Sequence, residues 1–227
     1  MLVKSLVSRT GQALLLGGVL LSAPVMTSAQ ETHTRELMDI MSGLRTTWQE
    51  MEGLSARFTH TFEWILAGER QVTRGQLWLA GRNQFRMQFE DRVMVSDGTT
   101  IWDHDKKQNQ VLLMNADPSK GIANQQQLFL AYTENVNATW VRQEGQDENR
   151  RVVIRIDRGP DADPKMVEIT VDPLRMLALR ADYTDGAGNN HRYDMEEVEQ
   201  GVQPEELFTF TIPEGVTVVD MRGGGSE

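Results

Sequence analysis

The chain has 227 residues, no cysteine and a formal net charge of −10, with 39 % hydrophobic residues. The length suits one domain with a sizeable core. The missing cysteine excludes a disulfide scaffold, thiolate metal sites, thiol catalysis and a lipid-modified N-terminal cysteine. The acidic balance argues against nucleic acid and against electrostatic docking on anionic lipid.

Residues 1–29 read as an address rather than as structure. Lys4 and Arg9 precede the apolar run Ala13–Val25, and Thr27-Ser28-Ala29 offers small residues before a cleavage point. This is the layout of a secretory signal peptide, and its run of about 13 apolar residues is short of the roughly 20 that span a bilayer. Cleavage is expected after Ala29, giving an exported domain over residues 30–227, suited to a bacterial envelope, with a flexible tail at 223–227.

Glu31–Gly53 has the pattern of an amphipathic helix, with Leu37, Ile40, Met41, Leu44, Trp48 and Met51 on one stripe. From Leu54 the period becomes two: Phe58, His60, Phe62 and Trp64 alternate with Arg57, Thr59, Thr61 and Glu63. Strand patterns follow at Val72–Leu79, Gln84–Phe89, Val93–Ser96, Thr99–His104 and Gln110–Met114. Asp97-Gly98 between two of them is a strong hairpin signal. Gly121–Tyr132 is the one internal stretch with helical character, around Leu128 and Phe129. The second half repeats the strand rhythm at Thr139–Gln143, Arg151–Arg158, Met166–Val171, Leu174–Tyr183 and His191–Val198. Pro204–Leu207 suits a short helical turn and Phe208–Ile212 a closing strand.

About eleven antiparallel strands with few helices predict one mainly β domain whose large sheet must curl or close. The four histidines are scattered, and Asp103-His104-Asp105 reads as a solvated turn rather than a metal site. No nucleophile elbow, dinucleotide or P-loop motif is present, so neither catalysis, metal nor cofactor is expected. Work on a ligand would have to be driven from outside. Apolar residues do exceed what one sheet face needs. Phe85, Met87 and Phe89 line one side of their strand, and methionine is frequent. Methionine suits surfaces that adapt to variable apolar shapes. A curled sheet with helices packed on it would bury such residues as ordinary core. One open at its mouth could hold an apolar ligand.

Five phrases then carry a resemblance. Ala56-Arg57-Phe58-Thr59-His60 is similar to a family phrase A-x-F-x-Q, and Gly75-Gln76-Leu77-Trp78-Leu79 to G-x-L/F-W/Y-V. Phe85-Arg86-Met87 resembles the aromatic-x-aromatic strand that follows an Arg-Pro turn, with Met87 in the second aromatic position. Val95–Trp102 matches V-S-D-G-x-x-L/I-W, and Phe208–Val216 the closing F-x-F-x-x-P-x-G-V. In this order and spacing they resemble the periplasmic outer-membrane lipoprotein carrier family (LolA-like) over almost the whole mature chain.

The resemblance implies an open half-barrel of about eleven antiparallel strands covered by short helices. It also implies a carrier, monomeric and not an enzyme, that shields lipoprotein acyl chains in an apolar cavity and moves them from the inner to the outer membrane. Its partners would be acylated lipoproteins as cargo, an inner-membrane ATP-driven releasing complex and an outer-membrane receptor lipoprotein. The cavity is expected to be lined by Phe58, Phe62, Leu77, Leu79, Phe85, Met87, Phe89 and Val95, with Trp48, Leu128 and Phe129 supplied by covering helices. The family's arginine latch before the aromatic strand falls on Gly81 here, with Arg82 where its proline stands, so Arg82 is the latch candidate. His60 stands where the family often has Gln. An envelope-sensing or regulatory binding module on the same scaffold is the alternative reading.

Overall fold

The computed structural model describes residues 28–81, 83–116 and 137–222. The expected signal segment lies almost wholly outside these residues, as do Arg82, Leu128, Phe129 and the predicted helix Gly121–Tyr132. Among the described residues, one α-helix, α1 (Ser28–Glu50), precedes twelve strands. They are β1 (Gly53–Trp64), β2 (Glu69–Ala80), β3 (Gln84–Phe89), β4 (Arg92–Asp97), β5 (Thr100–Asp105) and β6 (Gln110–Asn115). Then come β7 (Asn137–Glu144), β8 (Arg151–Asp157), β9 (Met166–Asp172), β10 (Leu177–Thr184), β11 (Asn190–Gln200) and β12 (Thr217–Asp220).

All twelve form a single open sheet in the order β12-β6-β5-β4-β3-β2-β1-β11-β10-β9-β8-β7. Two antiparallel meanders, β1–β6 and β7–β11, are thus fused through the β1–β11 pair, which runs from Leu54↔Gln200 to Glu63↔Asn190. Register shifts interrupt β1–β11 at Ser55/Arg57, β9–β10 at Ala178/Arg180 and β7–β8 at Trp140/Arg142. Such bulges increase local twist and bend the strands.

The hairpin at Asp97-Gly98 forms as predicted. Gly98 takes φ 96°, and the Asp97 carboxylate accepts from the backbone N–H groups of Thr99 and Thr100 at 2.7 and 2.8 Å.

On the inner face, α1 packs on the β7–β10 half. Ile40 and Leu44 join Val152, Ile154, Ile156, Val167, Ile169, Val171 and Ala181 in one buried cluster. His33 stacks on Trp140 with ring centroids 4.7 Å apart, and Arg150 pairs with Glu36. Gly43 lets the helix approach the β9–β10 turn, since a Cβ there would lie 2.6 Å from Met176 Sδ.

The chain's end departs from the sequence expectation. Phe208–Ile212 is not a strand. A 3₁₀ turn, Glu205–Phe208, packs against β3 and β4, and Arg86 Nη1 donates to Leu207 O at 3.4 Å. Phe208 is buried and Phe210 stacks on Trp102 at 6.3 Å. β12 then pairs in parallel with β6, so the last pairing is not antiparallel. Apolar–threonine alternation mimics a strand here, but those aromatics instead pin a crossing segment to the outer face.

We predict that Phe208→Ala costs about 3–5 kcal/mol of stability, as for other buried aromatic truncations. Leu174→Ala, at 71 % exposure, should stay within about 0.5 kcal/mol. Urea unfolding midpoints measure both, and an unshifted midpoint for Phe208→Ala would mean the closing segment is not anchored.

Candidate functional site

Residues directly opposite one another across paired strands share a sheet face, and faces alternate along each strand. Register therefore assigns each predicted cavity residue on a strand to a side. Leu79, Phe85, Ser96, Ile101 and Met114 form one inner row across β2–β6. Leu77, Met87, Met94, Asp103 and Leu112 form the next. Phe58, Gly75 and Phe89 follow.

The result is one apolar cluster of Phe58, Leu77, Phe85, Met87, Met94 and Ile101, flanked by half-buried Leu79, Phe89, Met114, Ala116 and Met195. Six of the expected residues, Phe58, Leu77, Leu79, Phe85, Met87 and Phe89, thus meet. Gly75 makes room for them. A Cβ on it would lie 2.7 Å from Phe58 Cζ, where the Phe58 ring packs edge-on to Phe89 with centroids 5.3 Å apart.

Val95 is a correction. It pairs with Arg86 and Trp102, so it lies on the outer face, opposite Phe85 and Met87. Met94 takes the inner position. Trp48 also differs: α1 covers the β7–β10 half, and Trp48 is half-buried outside the cluster around Phe85. Phe62 lies on the same inner face as Phe58 but farther along β1, with its ring centroid 5.0 Å from that of His191. Met94, Ile101, Met114 and Met195 join the surface without having been singled out.

Beyond Phe58 the inner face becomes amphipathic. His60 stacks on Tyr193 at 4.1 Å, and Tyr183 on His191 at 4.6 Å. His60 Nε2 lies 3.1 Å from His191 Nδ1, and His191 Nε2 lies 3.2 Å from Asp185 Oδ2. The chemistry of the chain assigns the protons. The ionised carboxylate accepts from His191 Nε2–H, leaving His191 Nδ1 to accept from His60 Nε2–H. The Asn189 backbone N–H and further donors hold Asp185 down at about 2. Burial, and then the neighbouring His191, push His60 down to about 4. Among the described residues, no cluster of three or more His, Asp or Glu could hold a metal. Asp103 faces inward and accepts from Arg92 Nε at 2.6 Å, while His104 faces outward near Phe210, so the Asp103-His104-Asp105 triplet cannot converge.

A cavity of about 560 Å³ lies at the other end of the β1 and β8–β11 strands. Its lining includes Arg70, Glu63, Arg155, Glu168, Asp182 and Arg192. Arg155–Glu168 and Arg192–Asp182 close to 2.7 and 2.6 Å. These ion pairs form a solvated, self-neutralised lining, unlike the apolar cluster.

The family described as "Outer membrane lipoprotein carrier protein LolA" matches this chain over residues 49–211. The chain belongs to the LolA family. Relatives named outer-membrane lipoprotein carrier protein include one from Sodalis glossinidius, 25 % identical over 79 % of this chain and 87 % of its own length. Another, from Actinobacillus pleuropneumoniae, is 23 % identical over 92 % of this chain and 94 % of its own length. Among solved structures, an uncharacterized conserved protein of Thermus thermophilus shares the fold with TM-score 0.53 at 12 % identity, over 82 % of this chain and 98 % of that one. The LolA match spans β1–β11, so it takes in both the apolar cluster and the His60–His191 seam.

We predict that stability falls as pH drops from about 6.5 to 4. His60 is lowered in the folded state, so the unfolded chain binds its proton first and gains on the folded one across that window. Below 4 this contribution levels off. His60→Gln, which keeps a hydrogen-bonding side chain without titrating, should flatten the window. Thermal unfolding recorded between pH 7 and 4 checks this, and an equal slope in both proteins would assign the effect elsewhere.

Proposed function

We propose that this LolA-family member is a periplasmic carrier whose inner face at β1–β6 shields the acyl chains of lipoproteins during transfer from the inner to the outer membrane. The observation that carries the reading is the continuous apolar surface from Phe58 to Ile101, in which Met87, Met94, Met114 and Met195 take part. Soft, unbranched side chains fit flexible hydrocarbon of variable length. The magnitude explains why a carrier is needed. At about 0.8 kcal/mol per CH₂, three long acyl chains resist water by on the order of 30 kcal/mol. Without a P-loop in the sequence, loading falls to an inner-membrane ATP-driven complex, and delivery to an outer-membrane receptor lipoprotein.

In this reading the exported domain is residues 30–227. Leu128 and Phe129 belong to the cover of the apolar surface and Arg82 to its latch. Phe62 and Trp48 border the bound chains rather than floor them.

Two measurements test the proposal. Protein recovered from the periplasm should begin at Gln30, and an intact Met1 would refute signal cleavage. A diacylglyceryl peptide should displace an environment-sensitive dye from the purified protein at micromolar concentration. Phe89→Ala should weaken that binding about tenfold or more, the worth of losing a large apolar contact. Val95→Ala, on the opposite face, should leave affinity unchanged. Failure of any diacyl ligand to compete would make the cluster closed core and end the carrier reading.

A further inference from the structure

The β1–β2 hairpin ends in an unusual turn. Trp64, Ile65 and Leu66 are consecutive, large and apolar, with exposures of 48, 54 and 89 %. They cannot be excused as edges of a core, because Leu66 is almost fully open to solvent. Gly68, with φ 66°, closes the turn, and a Cβ there would meet nothing within 4 Å.

The hairpin also has one free edge near its tip, on the β2 side, while β11 accompanies β1 as far as Glu63↔Asn190. β1 and β2 pair along their whole lengths, from Gly53↔Ala80 to Trp64↔Glu69. β3 accompanies β2 only over Gly75–Ala80, so residues 69–74 have no partner on that side among the described residues. Below the apolar tip sits a charged collar of Glu63, Glu69 and Arg70, with Arg70 Nε 3.9 Å from Glu63 Oε1.

We propose that this tip is a membrane-touching element: Trp64, Ile65 and Leu66 enter the interfacial zone of a zwitterionic phospholipid bilayer while the collar stays in water. Size and charge select this occupant. A specific protein partner needs roughly 800 Å² of contact surface from each side, and three side chains ringed by charges do not supply it. A bilayer surface requires only a few inserted apolar groups, with tryptophan favoured at the boundary. The net charge of −10, and two acids against one base in the collar, oppose anionic lipid. Attraction must come from apolar insertion.

The tip is also continuous with the apolar surface. Along the inner side of β1, Phe58, His60, Phe62 and Trp64 alternate in one row. That row leads from the cluster to the turn, past the His60–His191 seam, where His191 holds the Asp185 carboxylate at 3.2 Å, and past Glu69 opposite Trp64 at the collar, so an acyl chain leaving the cluster would have apolar and aromatic side chains beside it as far as the bilayer. This purpose rests on the carrier reading; the membrane contact itself does not.

The test uses protein recovered from the periplasm and sucrose-loaded phosphatidylcholine vesicles, with no cargo present. The wild type should co-sediment, and added phosphatidylglycerol should weaken binding. Leu66→Glu should reduce partitioning about tenfold, because an inserted leucine is replaced by a charge. Ile65→Glu combined with Leu66→Glu should abolish it. Leu174→Glu, at another exposed apolar position, is the control and should bind as wild type. Exposed turn substitutions leave folding intact, which unchanged thermal melting will verify.

Vesicle binding that is absent in the wild type, or equal in wild type and the double variant, overturns the proposal. So does a concentration-dependent dimer that the double variant loses, since a second copy would then be the occupant. Lipopeptide binding measured on the same variants separates the two ideas. Retained dye displacement with lost vesicle binding removes the tip alone from the cargo site. Lost displacement with retained vesicle binding defeats the carrier reading and leaves the membrane contact standing.

Discussion

The pairing of β1 with β11 is the constraint on which the architecture rests. These strands lie at opposite ends of the chain, yet they hydrogen-bond from Leu54↔Gln200 to Glu63↔Asn190. Among the described residues, every other antiparallel pair joins strands adjacent in sequence, so this seam converts two local meanders into one sheet. Its formation bears the entropy of closing a long loop, and it is supported by side chains that are themselves remote in sequence. Met195 faces Phe58, Tyr193 faces His60 and His191 faces Phe62. Leu54, Ala56, Leu177 and Val198 form a buried cluster where the bulge at Ser55/Arg57 bends the junction. The α1-covered half and the Met-rich half of the inner face meet across this line.

Once the seam exists, the two faces divide the chemistry. The outer side of β1 and β8–β11 carries opposite charges across strands, including Arg57–Glu197, Arg155–Glu168 and Arg192–Asp182. Such exposed pairs contribute little stability individually. Their consequence is a face that presents neither an apolar patch nor a field of one sign. The outer side of β3–β5 is different, because the closing segment covers it through Phe208, Phe210 and the Arg86–Leu207 hydrogen bond. The apolar cluster of Phe58, Leu77, Phe85, Met87, Met94 and Ile101 lies on the opposite, inner side of these strands.

The parts legible in the sequence are those fixed by local pattern. Gln84–Phe89 alternates cleanly between a Gly-Arg-Asn turn and a following break, and β3 has those bounds. The Asp97-Gly98 hairpin needs only a residue tolerant of positive φ beside an acceptor side chain. Val95 was not legible, because Val93, Met94, Val95 and Ser96 are all buried and β4 offers no alternation to read. Only the register with β3 and β5 decides which of them face inward. The His60–His191 contact was likewise invisible, since it depends on a pairing across 131 positions. The closing segment misled for another reason: Phe208 and Phe210 have strand spacing, but their partners lie on a face rather than along a ladder.

Phe58, Leu77, Phe85, Met87, Met94 and Ile101 are each buried by the protein's own side chains. A ligand that reaches them must therefore displace what covers them. Its affinity is then the difference between the hydrocarbon packing that binding creates and the protein packing that it breaks, not the full transfer free energy of the acyl chains. In the proposed carrier, that difference would permit release as well as capture. Rigid β-branched packing of the kind found under α1, among Val152, Ile154, Val167 and Ile169, would make opening costly. Methionines and phenylalanines, with the Phe58 ring seated over Gly75, are side chains that can repack at lower cost. The two halves of one inner face thus differ in composition: β-branched side chains dominate under α1, and methionines and phenylalanines dominate on β1–β6.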